Sequence, residues 1–299
     1  MLETKSKKSS YHHLAGIVPV AGQGLDFDFP WHDSLQPISQ NYLAVERAVV
    51  ECAWAGCKSV WIVCHDDMQP LIRYRLGEYV KDPVYIGRRM WDSDKLVPIQ
   101  YVPVHPKDRD RRDCLAWSVI YGAISADKTS RTISKWTAPD RYYVAFPYGV
   151  YDPEILREHR KEISSEKGFF LSHNNKTVKD NEYLGFTFTP QDANRFKNSV
   201  RKKGTGLYSG AGVSDGEYPR ERLPIEERYS ARYFSLDTVF ESAIIDGAKV
   251  VELPWYSNID SWKNLRGYFA SENEVTRPPK DILSYHEFNK IGDDIDEHE

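Results

Sequence analysis

Ile17-Val18-Pro19-Val20-Ala21-Gly22-Gln23-Gly24, followed by Leu35-Gln36-Pro37-Ile38, decides the fold. The first stretch reads as a buried strand running into a glycine turn. The second reads as the far end of a loop and the start of a long helix. A glycine turn at the carboxyl end of a strand lets backbone N–H groups approach a phosphate closely. The expected ligand-facing residues are therefore Val20, Ala21, Gly22, Gln23, Gly24 and Leu25.

Downstream, the apolar positions Leu43, Val45, Ala48, Val49, Cys52 and Ala53 recur at helical spacing over 39–55, with Ser39 as N-cap and Gly56 as C-cap. Ser59-Val-Trp-Ile-Val-Cys64 is a continuous apolar run, expected of a central parallel strand. A helix over 68–76 follows. The run 97–104 reads as a strand confined to short or edge pairing by Pro98 and Pro103. Asp113 is positioned to cap a helix over 114–125. Residues 141–146 form another buried strand, and Asp152-Pro153-Glu154 opens a helix. A strand over 183–188, a helix over 190–200, a Gly/Ser/Tyr-rich loop over 204–221, a helix over 234–245, a strand over 249–253 and a helix over 260–270 complete the pattern. Such alternation predicts a Rossmann-like, doubly wound α/β sheet, mostly parallel with a mixed region. Ligands bind such sheets beyond the carboxyl ends of the strands. The loops after Val20, Cys64, Val104 and Phe146 are thus the ones to watch.

A chain of 299 residues with 40% hydrophobic content suffices for a full core. The expected division is a flexible arm over 1–13, one α/β domain over 14–270 and a charged tail over 271–299. A net charge of −4 argues against broad electrostatic binding to nucleic acid. No stretch is apolar enough to span a membrane, and no apolar region follows the Lys/Ser-rich start, so a cytoplasmic protein is expected. Cys52, Cys57, Cys64 and Cys114 form no CxxC pair and read as small buried hydrophobes in a reducing compartment.

The run from Gly16 to Gly24, the Leu35-Gln-Pro-Ile38 turn and the strand ending at Cys64 resemble the N-terminal half of sugar-phosphate nucleotidyltransferases, a divergent member with the GT-A-like, nucleotide-diphospho-sugar transferase fold. Asp152-Pro153-Glu154 and Asn258-Ile-Asp-Ser-Trp-Lys-Asn-Leu265 extend the likeness more loosely. The chain also resembles uncharacterised proteins of tailed phages of marine bacteria, which would place it in host cytoplasm or virion. The family resemblance implies a nucleotide or nucleotide-sugar ligand, Mg²⁺ as cofactor and nucleotidyl transfer to a sugar phosphate. It also marks departures. Leu25-Asp26 stand where the family has Thr-Arg, and Asp33 stands at the catalytic-lysine position. Asp260 alone keeps a metal-ligand position. Arg112-Asp113 replace the Gly-Thr pair that meets the base, which makes Arg112 a candidate catalytic cation and Asp113 a candidate nucleotide contact. Acidic groups in place of cations would repel a triphosphate unless magnesium bridges them.

Other clusters admit two readings each. Asp26, Asp28, His32 and Asp33 read as a divalent-metal site or, preferably, as a solvated acidic loop. The run from Lys107 to Asp113 reads as an anion-binding fork or as a surface ion-pair cluster. The basic run from Arg201 to Lys203 before Gly204 reads more simply as a helix end with cations suited to its dipole. The segment 226–233 reads as a helix start or a pocket wall. In His65-Asp66-Asp67, His65 is a conceivable general base, with Asp66 the expected N-cap. Two functions follow: a nucleotidyltransferase-like enzyme, or an inactive version of the fold serving as a binding or assembly module, with a protein partner or a second copy. A related glycosyltransferase is disfavoured by the lack of a DxD after a buried strand.

Overall fold

The computed structural model describes residues 13–22, 28–86, 95–203, 234–279 and 282–283. In chain order the strands are β1 (Leu14–Pro19), β2 (Pro37–Ser39), β3 (Tyr42–Leu43), β4 (Ser59–Cys64), β5 (Tyr79–Lys81), β6 (Leu96–Pro103), β7 (Arg141–Val144), β8 (Gly149–Val150), β9 (Phe169–Ser172), β10 (Phe186–Phe188), β11 (Lys249–Glu252) and β12 (Ser257–Asn258). The helices are α1 (Ala44–Ala55), α2 (Gln69–Leu76), α3 (Pro106–Arg112), α4 (Leu115–Ile133), α5 (Arg160–Ile163), α6 (Pro190–Lys203), α7 (Leu236–Phe240) and α8 (Trp262–Ala270).

Among the described residues the main sheet has eight strands in the order β11-β9-β10-β7-β1-β4-β6-β5. The central β7, β1, β4 and β6 run parallel to one another; β5 is antiparallel to β6 at one edge, and β10 is antiparallel to both β7 and β9. Because β10 reverses twice, β9 and β11 again run with β1. Their carboxyl ends therefore emerge on the same edge of the sheet.

Side-chain alternation along β1 assigns its two faces. Leu14 and Val18 join Val45, Val49 and Cys52 of α1, whereas Ala15 and Ile17 join Val119, Ile120 and Ala123 of α4. Helix α1 is buried nearly all round, because the 3-10 turn Pro153–Arg157 covers its outer side. Burial of this kind contributes roughly 25 cal/mol per Å² of apolar surface removed from water, and it dominates the stability of such a layer. Gly56, at φ 88°, closes α1 as the sequence predicts.

Several elements depart from the sequence expectation. The long helix starts at Ala44, not near Ser39. Residues 37–43 instead make the β2–β3 hairpin around Asn41 (φ 54°), and Glu46 Oε2 accepts the Leu43 N–H at 2.7 Å to set the first turn. Strand β6 is internal, not an edge. The Val104 N–H bonds the Cys64 carbonyl, so the missing N–H of Pro103 faces the other side, where β5 does not extend. Helix α4 is capped by Cys114, whose Sγ accepts the Trp117 N–H, and runs to Ile133. Lys107 to Arg112 are helical rather than loop, with Pro106 at the first turn. Met68, not Asp66, is the cap position of α2. Strand β9, Phe169–Ser172, is an addition to the expected pattern. The loop 204–221 and the segment 226–233 lie outside the described residues. In the region after 270, Val275, Ile282 and Leu283 are buried against the body.

Candidate nucleotide site

The carboxyl end of β1 is fixed from three sides. Val20 and Ala21 both donate their N–H groups to the Val63 carbonyl, at 2.8 and 2.9 Å. The Ala21 carbonyl accepts from Ser118 Oγ of α4 at 2.6 Å, and the Val20 carbonyl from Tyr148 Oη at 3.1 Å. Gly22 follows at φ 83°, against the backbone of Cys114. The strand is thus delivered to the amino terminus of a 19-residue helix, where the helix dipole and free N–H groups favour an anion. Gln23, Gly24 and Leu25, with Asp26, lie outside the described residues.

Polar atoms without partners collect at this helix terminus. Asp113 Oδ1 and Trp117 Nε1 are buried and make no hydrogen bond among the described residues. Buried polar groups are ordinarily satisfied, so such atoms point to a ligand or an ordered water. Arg112 lies over the Trp117 ring at 4.3 Å, and its Nε donates to Asp108 Oδ1 at 2.9 Å. That contact is an i,i+4 ion pair, in keeping with the ion-pair reading of the cluster, though not at the i,i+2 spacing.

The loop after β4 reaches the same place. His65 Nε2 lies 2.9 Å from Asp113 Oδ2, and Asp66 pairs with Arg109 at 3.0 Å. Asp113, expected as a helix cap, is turned to His65 instead. His32 Nδ1 meets Ser34 Oγ at 2.9 Å. Burial, reinforced by His65 and opposed by Asp67, pushes the His32 imidazole down to about 4.

Asp33 and Asp260 stand on the other flank. Asp33 is fully buried, and after burial itself its carboxylate is the main cause of the raised Tyr148 hydroxyl pKa. The Tyr148 and Tyr183 rings are 5.4 Å apart, and Tyr183 Oη donates to Asp260 Oδ2 at 3.2 Å. Asp260 Oδ1 accepts from Asn264 Nδ2 at 2.9 Å. Two tyrosines therefore link the neighbourhoods of these carboxylates. Among the described residues no group of three or more His, Cys, Asp or Glu side chains is arranged to hold a metal ion. Burial pushes the thiols of Cys64 and Cys114 up to about 12, which removes both as nucleophiles. The His65–Asp113 pair was missed as a pair, because the two residues are 48 positions apart and only the parallel pairing of β4 with β6 joins their loops.

A cavity of about 700 Å³ opens elsewhere, lined by Tyr151, Asp152, Arg157 and Trp255 among others. It does not include the β1 loop or the start of α4, where the unpartnered atoms lie.

No protein-family model matches the chain, and no curated protein matches it. It superposes on a Bacillus anthracis structure assigned as a glucose-1-phosphate thymidylyltransferase, in complex with a sucrose, with a TM-score of 0.53 and 12% identity over 88% of this chain and 98% of that one. A Mycobacterium tuberculosis H37Rv protein gives 0.49 and 9% over 88% and 100%. A UDP-glucose pyrophosphorylase complexed with UDP-glucose gives 0.48 and 10% over 85% and 96%. The first of these shares its fold with this chain, and the last two scores carry no weight. The mixed, mostly parallel eight-stranded sheet is the nucleotide-diphospho-sugar transferase fold. No helix among the described residues is long and apolar enough to cross a membrane.

Proposed function

We propose that the chain binds a nucleotide or nucleotide sugar at the carboxyl ends of β1, β4 and β6. The observation that carries this reading is the convergence of their loops on the amino terminus of α4, with Asp113 Oδ1 and Trp117 Nε1 buried there without partners. In this reading the backbone from Val20 to Gly22 faces the phosphates, Arg112 holds phosphate charge and Asp113 contacts the nucleotide. The Bacillus anthracis neighbour, by its assignment, handles a sugar phosphate and a nucleotide, which agrees with this ligand class.

Magnesium would arrive with the phosphates. Mg²⁺ is commonly held by one or two carboxylates and substrate oxygens, so Asp260 suffices as a protein ligand and no closed cage is needed. The ion would neutralise phosphate charge. Nucleotidyl transfer onto a sugar phosphate would further require positive charge at the reacting phosphorus. Arg112 is the candidate for that work, and Asp33 would act only through an intervening cation.

One observation favours a second reading, a binding or assembly module. Arg109 and Arg112 are each engaged by an aspartate, Asp66 and Asp108, rather than held open. Calorimetric titration with nucleoside triphosphates and UDP-glucose, with and without Mg²⁺, tests the two. Saturable binding weakened by Arg112→Ala supports the first. Binding to none of them leaves the module.

A further inference from the structure

We infer that His65, oriented by Asp113, is a proton acceptor for water, and that the chain hydrolyses the diphosphate link of a nucleotide sugar; this rests on the proposed nucleotide site. The two side chains form a carboxylate–imidazole pair at 2.9 Å, one residue from the Cys114 backbone against which Gly22 packs. Asp113 is 12% exposed and His65 30%, so the carboxylate is sheltered while the ring is open to solvent. With Nε2–H donated to Asp113, Nδ1 carries the lone pair.

The chemistry follows from which nucleophile needs which help. A sugar phosphate is already an oxyanion near neutral pH and requires cations to approach another phosphate. It requires no base. Water is neutral and must lose a proton as it attacks. Here Arg109 and Arg112 are paired with Asp66 and Asp108, Asp33 is buried on the other flank, and an oriented imidazole stands at the start of α4. That set suits a neutral nucleophile.

The step balances without an oxidant or reductant. One O–H bond of water breaks, and its proton goes to His65 Nδ1. The oxygen forms a bond to one phosphorus of the diphosphate. The bridging P–O bond breaks, and its electron pair leaves on the other phosphate. The products are a nucleoside monophosphate and a sugar phosphate, with a substrate-borne divalent cation neutralising charge. The groups facing His65 are Asp113 before α4, Asp66 and Asp67 on its own loop, Arg109 of α3, and His32, which shares the field of His65 and Asp67.

The test incubates the full chain and Mg²⁺ with UDP-, ADP-, GDP- and dTDP-glucose in ¹⁸O-water, followed by ³¹P NMR, alongside calorimetric binding. Expected are conversion of one diphosphate to two phosphomonoesters and a single ¹⁸O in one of them. His65→Gln is expected to lower kcat about 100-fold with Kd within threefold, and Asp113→Asn to slow turnover and displace the acid limb of the pH–rate profile. A nucleotide sugar that binds and is not hydrolysed overturns this inference and leaves the binding site standing. Hydrolysis at an unchanged rate in His65→Gln, at retained Kd, also overturns it. Failure of all four sugars to bind overturns the site and the hydrolysis together.

Discussion

Gly22 packs its α-carbon onto the backbone of Cys114: a β-carbon at that position would fall 2.3 Å from the Cys114 carbonyl carbon and 2.6 Å from its oxygen. Two backbones in contact cannot yield as a side-chain tip can. The contact brings the end of β1 to the start of α4, where Asp113 and Trp117 lie.

Gly22→Ala is therefore expected to be strongly destabilising. It combines a clash with an unfavourable positive φ, and together these cost at least about 2 kcal/mol. Urea denaturation reads the loss directly, and an unchanged midpoint contradicts the packing described.

Ser118 is the second tie between the two elements. Its hydroxyl donates to the buried Ala21 carbonyl at 2.6 Å. Ser118→Ala leaves that acceptor unsatisfied, and a loss of about 1–3 kcal/mol is expected, together with weaker nucleotide binding. Equilibrium unfolding and calorimetry measure the two effects separately.

Behind the site lies a buried ion pair. Arg47 Nη1 sits 2.8 Å from Glu51 Oε2, both side chains are fully buried, Arg47 Nη2 donates to the Phe146 carbonyl and Tyr143 Oη donates to Glu51 Oε1. Removing one charge strands the other. Glu51→Gln is expected to cost about 3–5 kcal/mol, and Arg47→Met with Glu51→Leu to recover part of it. Thermal unfolding of the two variants and the parent checks the order. A single variant as stable as the parent contradicts it.

His32 gives the protein an acid limb. Its ordinary value is 6.5 and the folded value about 4, chiefly through burial. Between these pH values the unfolded chain takes up a proton that the folded chain refuses. The His32 contribution is whole above about pH 6.5 and is lost as pH falls toward 4. With the ring only partly covered, the loss is on the order of 1–3 kcal/mol. His32→Asn is expected to flatten this limb in pH-dependent unfolding. The same slope in the variant assigns it to another group.

The fold was legible where periodicity and burial coincide. Val18, Ile62 and Val144 lie in runs apolar on both sides, and those runs became the central parallel strands. Helix starts were less legible, because capping depends on partners beyond the local sequence. Ser39 has an ordinary cap chemistry, yet Pro37–Ser39 pairs with Tyr42–Leu43, and Glu46 sets the first turn of α1. Asp113 has the same chemistry, yet it faces His65 across two loops while the Cys114 sulfur takes the cap. In the site, Gly22 and the end of β1 could be read from glycine chemistry and strand direction. The tyrosines joining the Asp33 and Asp260 neighbourhoods could not, because Tyr148 and Tyr183 meet only through tertiary packing.

Nucleotide binding at the carboxyl ends of β1, β4 and β6 is measured most directly by a thermal shift. At a ligand concentration 100 times Kd, a ligand that binds only the folded chain adds about 2.7 kcal/mol. A nucleoside triphosphate or nucleotide sugar with Mg²⁺ is expected to raise Tm by several degrees, and Arg112→Ala to reduce that rise while leaving the unliganded Tm unchanged. No shift with any nucleotide or nucleotide sugar, with or without Mg²⁺, would contradict nucleotide binding there.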